Sequence, residues 1–441
     1  MVDTLIGREY HLRLLRSAFT ALQTGSGSAV ALAGEPGIGK SALLWAAANT
    51  ARAAGVAVVA VRGAELAQSP DSPKTPAAST QVIDAIRAHE AAGKSVLVTV
   101  DDLHLIGADE TGLLPQLLRL TANGPVLCLL AYRRRQLAPS LAAALADAST
   151  GPLRLAPLDP LTRDQTAALL DERPGGDDAD PDPDEIHRKA AGNPQYIKVL
   201  CALRDTGSTA EAGAAIFAEL AGLAPEPLAA ARAAAVLGDP FHVTLLAEVA
   251  GLDVPAAARA LDHLTGIDLI RPAERGSQLA LRHRAVGEAI YERLEPSLRF
   301  ALHHRAADAL TRDGAPVAQR ARHIMRAADP QNPDHLTTLI AAARGALYNS
   351  PATAAEYLQA ALPLLREGHS DHSHDHNGHA HNSPDHAHEV HVLLARSRVL
   401  SGEFAEGRAL LDALRSAKPS DHPSSAALDS IRIERRLGRH F

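Results

Sequence analysis

The first 160 residues alternate short apolar runs with longer amphipathic segments. Apolar residues at helical spacing predict four helices, at 11–23, 41–53, 80–92 and 111–120. Short apolar runs between them predict buried strands at 29–33, 56–61, 95–100 and 126–131, and a fifth at 153–155. Because strands and helices alternate, residues 1–160 are predicted to form an α/β domain, with a parallel sheet and helices on both faces.

Beyond residue 160 the pattern becomes almost entirely helical. Residues 161–222 are predicted to form a helical lid over the first domain. Residues 223–296 combine short helices with one hairpin, formed by 269–271 and 278–282. A few short helices with one hairpin are typical of a winged-helix domain.

The last part of the chain, 297–441, is predicted to be all helical. Within it, 352–365 and 390–414 resemble the paired helices of tetratricopeptide repeats. A stable stack usually needs at least three such units, and only one or two are visible. We therefore expect a TPR-like region that stops inside an array.

Composition and charge restrict the partners that the chain can have. The 441 residues are 46% hydrophobic and 22% charged, which is ordinary globular usage and allows roughly two to four domains. The net charge of −7 provides no overall basic field to attract nucleic acid. DNA binding would therefore need a local basic patch or a separate module.

The sequence indicates neither a disulfide scaffold nor a membrane protein. Its two cysteines, Cys128 and Cys201, lie in apolar surroundings and are predicted to be reduced thiols in the core. No apolar run reaches the ~18–20 residues that span a bilayer. The N-terminus also lacks the basic and apolar segments of a secretory signal. We expect a cytoplasmic protein without a membrane partner.

The strongest chemical signal follows the first predicted strand. It has the pattern G-x-x-x-x-G-K-[ST], and its residues are Gly34, Glu35, Pro36, Gly37, Ile38, Gly39, Lys40 and Ser41. Glycines let the backbone turn so that N–H groups converge on phosphate oxygens, and the following helix adds the positive end of its dipole. Lys40 is predicted to lie between the β- and γ-phosphates and Ser41 to bind Mg²⁺. This indicates a P-loop NTPase domain that binds ATP or ADP; the alternative is a glycine-rich turn.

Two further signals follow later strands. Asp101 and Asp102 end the strand at 95–100, where Asp101 would hold Mg²⁺ through water and Asp102 would orient or activate the attacking water. Arg133 follows the strand at 126–131 and would reach the γ-phosphate, because ligands bind at the carboxyl ends of parallel strands. A solvated strand end and a solvated basic turn are the alternatives.

Several motifs occur together in the order of a known family. They are Ile6-Gly7-Arg8-Glu9, Gly34–Ser41, Asp101-Asp102-Leu103-His104, Tyr132-Arg133 and Gly192-Asn193-Pro194. Together they resemble the signal-transducing STAND ATPases, and within them the large ATP-binding regulators of the LuxR family. Leu281-Arg282-His283-Arg284, followed by Tyr291 and His303, is similar to the segment that follows the lid in that family.

The resemblance implies roles for individual residues. Gly7 and Arg8 would line the adenine side of the site, and Pro194 would pack on the base. His283 would contact the β-phosphate of ADP and hold a closed state. The alternatives are an interdomain histidine at His283 and a simple helix stop at 192–194.

The chain also departs from that family. The residues after the acidic pair read Leu105-Ile106-Gly107-Ala108-Asp109, without the family's usual tryptophan. Members carry a C-terminal helix-turn-helix, and this sequence ends before such a module. DNA would therefore be reached only through a module that is absent here, and the chain is expected to be a fragment or to have lost that output.

The resulting hypothesis is an ATP/ADP switch with slow ATP hydrolysis, the sensor half of a transcriptional regulator. An unknown small molecule or protein would act as inducer on the helical region, and the ATP state would self-associate. The alternatives are an interaction scaffold that binds nucleotide without hydrolysis, and an oligomeric AAA+ motor. The motor would need an arginine finger from a neighbouring subunit, and the sequence does not identify one.

Residues 369–391 form a histidine-rich insert with interspersed aspartates. Such a tract can offer nitrogen and oxygen ligands to zinc, nickel or copper. Its composition cannot bury a core, which predicts a mobile segment. A tolerated low-complexity loop is the alternative to a metal or pH sensor.

Overall fold

In the computed structural model of the chain, the predicted apolar runs pair as a parallel sheet. The five strands are β1 Ser28–Ala33, β2 Ala57–Arg62, β3 Val96–Asp101, β4 Val126–Tyr132 and β5 Leu153–Pro157. Their order across the sheet is β2-β3-β4-β1-β5, and every pairing is parallel. All five predicted strands, including the short fifth one, are confirmed.

The structure describes residues 5–66, 78–106, 112–149, 151–172, 182–206, 213–273, 277–367 and 384–416. The chain divides into two compact units. The first comprises Met1–Ala224, Asp262–Arg271 and Leu281–Glu292, and the second Pro225–Leu261, Pro272–Ala280 and Arg293–Phe441. The finer division into four domains stays a prediction.

Helices cover both faces of the sheet. They are α1 Glu9–Gln23, α2 Lys40–Ala53, α3 Gly63–Leu66, α4 Ala78–Ala91, α5 Leu113–Asn123 and α6 Pro139–Ala148. In β4 the side chains alternate between two cores: Cys128 and Leu130 pack with α4, α5 and α6, while Leu127 and Leu129 pack with α1 and α2. A parallel strand buried on both faces needs a continuous apolar run, as this one has. The predicted two-sided α/β domain is therefore confirmed, and α6 is a helix that the sequence pattern did not predict.

The register of the sheet aligns the ends of three strands. Ala33 at the end of β1 lies opposite Tyr132 of β4, and Val100 of β3 lies opposite Leu130 of β4. All the strands are parallel, so their carboxyl ends meet at one edge. Because β4 lies between β1 and β3, the residue after β4 sits between the glycine-rich loop and the acidic strand end.

A helical segment follows the sheet. Its helices are α7 Arg163–Asp171, α8 Pro183–Ala190, α9 Pro194–Thr206 and α10 Ala214–Ala221. Helix α7 begins with a capping box, in which the Thr162 and Gln165 side chains each bond to the other residue's backbone N–H. Ala191 and Gly192, both with positive φ, end α8. The Gly192 carbonyl then accepts from the Leu161 N–H at 2.8 Å and ties this turn to the segment after β5.

The remainder of the chain is largely helical, as predicted. Its elements are α11 Pro225–Leu237, α12 Val243–Ala250, α13 Val254–Gly266, β6 Ile270–Pro272, β7 Leu279–Leu281, α14 Arg284–Glu292, α15 Pro296–Arg312, α16 Val317–Ile324, α17 Pro333–Ala346, α18 Pro351–Glu367, α19 Pro384–Leu400 and α20 Phe404–Ser416. Strands β6 and β7 form the predicted hairpin, although 274–276 at its tip lie outside the described residues. The winged-helix and TPR-like identities stay predictions.

The last part of the histidine-rich insert is helical. Residues 369–383 lie outside the described part of the chain, so the metal hypothesis for them stays untested. The prediction of a mobile segment is wrong for its last part, because α19 begins at Pro384 and Val390 is fully buried. The apolar positions Val390, Leu393 and Leu394 belong to the helical core of the second unit. The helix that contains these residues begins at Pro384, and proline is favoured in the first helical turn.

Both cysteines are buried, as predicted, and neither forms a disulfide within the described part of the chain. Burial raises the pKa of the Cys128 thiol to about 12, so it stays protonated at neutral pH. Within the described residues, none of the helices has the length and apolar content that crossing a bilayer requires. The cytoplasmic location stays a prediction.

Burial on both faces of the sheet predicts a large cost for a cavity in β4. Leu129→Ala should lower the free energy of unfolding by about 2–5 kcal/mol, because Leu129 is fully buried. Leu155→Ala in β5 is the matched control, since Leu155 is 45% exposed and its loss should be nearly neutral. Urea unfolding followed by the fluorescence of Trp45, the only tryptophan, reports on the first unit. Equal losses for the two variants would contradict the described packing.

Candidate functional site

The glycine-rich loop runs from the end of β1 to the start of α2. Gly37 has φ of +75° and Gly39 has φ of +106°, a left-handed backbone that residues with a Cβ rarely adopt. These two residues reverse the chain within a few positions and allow α2 to begin at Lys40. The first turn of α2 has N–H groups without helical acceptors and carries the positive end of the helix dipole.

Lys40 is held inside this loop. Its Nζ donates to the Gly34 carbonyl at 2.9 Å and to the Glu35 carbonyl at 2.8 Å, and the residue is 6% exposed. Burial lowers the pKa of Lys40 to about 8; the positive charge of Arg133 adds to this, and Asp102 and Asp101 oppose it. The ammonium group thus closes the loop through carbonyl oxygens, and no carboxylate of the described residues is in direct contact with it.

A cavity of about 790 Å³ opens beside the loop, entirely within the first unit. It brings together most of the predicted site residues, namely Arg8, Pro36, Gly37, Ile38, Gly39, Lys40, Ser41, Asp102, Arg133 and Pro194. Other lining residues were not predicted as site residues, among them Leu5, Ile6, Leu161, Leu169, Glu172, Gln195, Lys198 and Glu219. The cavity therefore combines the cations Lys40 and Arg133 with the carboxylates of Asp102 and Glu219, and it has apolar side chains that include Leu161 and Leu169.

Asp101 and Ser41 line a neighbouring cavity of about 490 Å³, and Ser41 lines both. The Asp101 Oδ1 accepts from the Asp102 N–H at 3.0 Å, which fixes the carboxylate at the end of β3. A hydroxyl and a carboxylate are oxygen ligands of the kind that Mg²⁺ binds, together with water and substrate phosphates. No cluster of three or more metal-ligating side chains occurs among the described residues, so a metal here would depend on such additional ligands.

Arg8 supports the loop from the N-terminal side. The residue is 5% exposed, and its guanidinium donates to the Ile38 carbonyl at 2.8 Å and the Gly7 carbonyl at 2.9 Å. Gly7 has φ of +70°, and a Cβ there would lie 2.7 Å from both Gln165 and Leu161. Gly7 is not among the described residues that line the cavity, while Arg8 is. Their predicted adenine contacts stay predictions.

The motif at 192–194 connects the loop to α9. The Asn193 side chain is buried; its Nδ2 donates to the Pro36 carbonyl at 2.8 Å, and its Oδ1 accepts from the Gln195 N–H at 3.0 Å. Pro194 then begins α9 and lines the cavity. The motif is thus both a helix junction, as its alternative interpretation held, and a direct contact with the loop.

Arg133 shares a carboxylate with a second arginine. Its Nη2 donates to the Glu219 Oε1 at 2.9 Å, and the Arg282 Nη1 donates to the Glu219 Oε2 at 2.7 Å. The Arg282 Nε also donates to the Tyr196 hydroxyl at 3.0 Å, and its side chain is 1% exposed. Sequence reasoning missed Glu219, because it lies 86 residues from Arg133 in an otherwise apolar helix, and no local pattern marks it.

His283 lies against Tyr196 in this same cluster. The two rings stack with centroids 4.1 Å apart, and the His283 Nδ1 accepts from the Ala285 N–H at 3.1 Å. Burial lowers the pKa of His283 to about 4, and Arg282 and Arg271 add to the effect, so the ring is neutral at pH 7. His283 is not among the described residues that line the cavity. Its contact with a β-phosphate stays a prediction.

Glu35 is not among the described residues that line the cavity, and its side chain contacts β6. Its Oε1 lies 3.2 Å from the Arg271 Nη2, and Arg271 also forms two 2.8 Å hydrogen bonds with Asp268. Gly34 is also not among the described residues that line the cavity, and a Cβ there would lie 2.7 Å from the Ile38 side chain. Glu35 and Gly34 therefore contribute to the shape of the loop, and their predicted role as ligand contacts stays untested.

His104 supports the acidic strand end. Its Nδ1 accepts a long hydrogen bond of 3.4 Å from the Arg133 N–H, and its Nε2 lies 3.9 Å from the Asp102 carboxylate. Burial lowers the pKa of His104 to about 3, with Arg133 and Lys40 adding to the effect. The ring is therefore neutral near pH 7, so its contact with Asp102 is not an ion pair under those conditions.

Comparison with known proteins relates this geometry to a family. Residues 4–89 match the AAA ATPase domain family. The matched part of the chain is therefore similar to an AAA-type ATPase domain and is called the AAA domain here. The match includes the glycine-rich loop of this AAA domain and ends within α4, before Asp101 and Arg133. No curated protein matches the sequence.

Several solved structures are similar to the chain at low identity. ORC2 from Aeropyrum pernix, in ADPNP–ADP complexes, is 15% identical over 70% of this chain and 96% of its own, with a TM-score of 0.33. A RuvB variant from Thermotoga maritima is 17% identical over 64% and 93%, with a TM-score of 0.35. Domain III of the T. maritima replication initiation protein DnaA is 13% identical over 48% and 92%, with a TM-score of 0.30. At these values the similarity carries no argument about function.

The AAA domain should tolerate a methyl group poorly at Gly37. A Cβ there would lie 2.2 Å from the Gln195 Oε1 and 2.6 Å from its Cβ, in addition to the strain of a positive φ. Gly55 has the same φ of +75° but open space around it, so Gly55→Ala is a matched control for strain alone. Gly37→Ala should lower the free energy of unfolding by about 1–3 kcal/mol more than Gly55→Ala, measured by Trp45 fluorescence in urea. Equal losses would mean that the loop does not pack on α9 as described.

Proposed function

We propose that the AAA domain binds ATP or ADP with Mg²⁺ through Gly34–Ser41, and that the chain is a nucleotide-dependent switch. The observation that carries this proposal is the convergence of Lys40, Ser41 and Arg133 on one cavity at the N-terminus of α2. Two cations and a helix N-terminus are complementary to a chain of phosphates. The apolar side chains in the same cavity suit a base and ribose.

The proposal assigns a part to each predicted group. Lys40 and the N-terminus of α2 would hold phosphate oxygens, and Ser41 and Asp101 would hold Mg²⁺. The metal would neutralise charge on the phosphates. Asp102 would orient a water for slow hydrolysis, and Arg133 would respond to the γ-phosphate. Pro194 would pack on the base.

Contacts between the loop and the hairpin support the proposed switch. Glu35 of the loop pairs with Arg271 in β6, and Arg282 after β7 pairs with Glu219 beside the cavity. In the proposal, ADP favours this closed arrangement, and His283 helps to hold it. An inducer on the helical region would favour the ATP state, which requires that it bind the two states with different affinity. Self-association would follow in the ATP state.

A wider role rests on the resemblance to the large ATP-binding LuxR-family regulators. In this proposal the chain is the sensor half of a transcriptional regulator, and DNA would be contacted only by a helix-turn-helix module. That part is an argument from family analogy, since fold alone does not define an output.

The first test identifies the nucleotide that the purified protein carries. Denatured wild type should release about one equivalent of ADP per chain, and Lys40→Ala should release none, because it loses the buried cation of the loop. Lys94→Ala, which removes an exposed lysine before β3, is the matched control and should behave as wild type. Phosphate release from added ATP measures the hydrolysis. Wild type that is empty and does not bind added ATP with Mg²⁺ would refute the proposal and favour a scaffold.

Nucleotide affinity should also depend on pH through Lys40. Its pKa is about 8 without a ligand, and contact with phosphate would raise it. Binding then takes up a proton whenever Lys40 is neutral in the free protein. The Kd for ADP should therefore be constant below pH 8 and should rise by up to about tenfold per pH unit above pH 8. Calorimetry between pH 7 and 9.5 measures this, in a range where terminal phosphates are already ionised.

Two variants serve as controls for the pH dependence. Lys94→Ala should keep the wild-type profile, and the residual binding of Lys40→Ala should not change with pH. If the Kd for ADP rose with pH at the same slope in wild type and in Lys40→Ala, the pH dependence would belong to another group.

A further inference from the structure

We infer that Glu219 is a positioning residue through which the site distinguishes ATP from ADP. It holds Arg133 at the cavity and connects that arginine to Arg282 at the hairpin. The inference rests on the proposed nucleotide function of the same cavity, and it assigns a role to a residue that no motif in the sequence marks.

The geometry gives Glu219 two partners at once. One carboxylate oxygen accepts from Arg133 at 2.9 Å and the other accepts from Arg282 at 2.7 Å. The Glu219 and Arg133 side chains are 18% and 19% exposed, and both residues line the cavity with Lys40. A mostly buried carboxylate between two guanidiniums is held strongly by charge-assisted hydrogen bonds.

Arg133 has one N–H donor that no described residue accepts. Its Nε is buried and has no hydrogen-bond partner in the described part of the chain. A buried donor without an acceptor is costly, and a phosphate oxygen in the cavity would satisfy it. Arg133 follows β4, between the glycine-rich loop after β1 and the acidic end of β3. This is the place where the last phosphate of a bound ATP would lie if Lys40 holds the phosphate chain.

A γ-phosphate would then compete with Glu219 for Arg133. ADP lacks that phosphate and would leave the pair with Glu219 intact. With ATP bound, Arg133 would donate to phosphate oxygens in addition to Glu219 or in place of it. Glu219 would then bond mainly to Arg282. The presence of one phosphate therefore changes the charge balance around Arg282.

Arg282 is placed to carry that change further. Its side chain is almost completely buried, and besides Glu219 it contacts the Tyr196 hydroxyl. Tyr196 in turn stacks on His283. When Arg133 turns to a phosphate, Arg282 becomes the main partner of Glu219, and little solvent is present to screen this change in a buried pair. A connected path thus runs from Arg133 through Glu219 and Arg282 to His283, all within the first unit.

The decisive variant is Glu219→Gln, which keeps the shape of the side chain and removes its charge. Arg133 would no longer be held by a carboxylate, so the affinity for ATP should increase relative to ADP. We expect the ratio Kd(ADP)/Kd(ATP) to rise about tenfold, the size of one charge-assisted hydrogen bond. Calorimetry on full-length protein freed of nucleotide, with Mg²⁺ and either ADP or a non-hydrolysable ATP analogue, measures both constants.

Two controls separate positioning from general structure. Glu185→Gln removes an exposed carboxylate that pairs with Lys189 in α8, and it should leave the ratio unchanged. Arg133→Gln should abolish the effect of Glu219→Gln on the ratio, because the effect acts through Arg133. If Glu219 had only a structural role, its replacement would weaken the binding of ADP and of ATP equally. The ratio Kd(ADP)/Kd(ATP) would then keep its wild-type value.

Failure of the inference can be distinguished from failure of the proposed function. A folded Glu219→Gln protein with the wild-type ratio would overturn the inference while leaving nucleotide binding intact. Wild type that binds neither nucleotide would refute the proposed function itself. If Glu219→Gln does not fold, Glu219→Asp replaces it: the shorter carboxylate cannot reach both arginines, so the ratio should rise, and an unchanged ratio would overturn the inference.

Discussion

The structure depends on one constraint, which is that the parallel sheet must be covered on both faces. Each strand returns through a helix on one face or the other, so all the carboxyl ends meet at the same edge. Polar groups that follow β1, β3 and β4 are thereby gathered beside the N-terminus of α2. The apolar runs that define the strands thus also determine where Lys40, Asp101 and Arg133 meet.

Charged side chains form two connected groups around this edge. Arg133, Glu219 and Arg282 form one group, and Glu35, Arg271 and Asp268 form another. The first group is mostly buried. Such a network contributes little net stability compared with apolar packing, but removal of a single member leaves an uncompensated charge. It therefore suits a site in which a ligand exchanges one partner for another. Both networks connect the cavity side to residues of the β6–β7 hairpin.

Local patterns predicted much of the first unit because their causes are local. The apolar run at 126–131 predicts a strand buried on both faces, and β4 is one. Gly37 and Gly39 were expected in a tight turn, and both have positive φ. The last part of the histidine-rich insert, which forms the start of α19, was mispredicted because its histidines and aspartates were weighed without the apolar positions that follow. Glu219 could not be found, since nothing in its own helix indicates a partner elsewhere.

The sequence by itself determined the alternation of strands and helices, the phosphate-binding pattern at Gly34–Ser41 and the polar residues that end the strands. These follow from side-chain periodicity and backbone freedom over a few neighbouring residues. Only the tertiary structure decided the strand order, which puts Arg133 between the loop and Asp101, and the sharing of Glu219 by two arginines. Strand order and buried ion pairs arise from contacts between residues far apart in the chain, and a local pattern does not encode which distant partner completes a hydrogen bond.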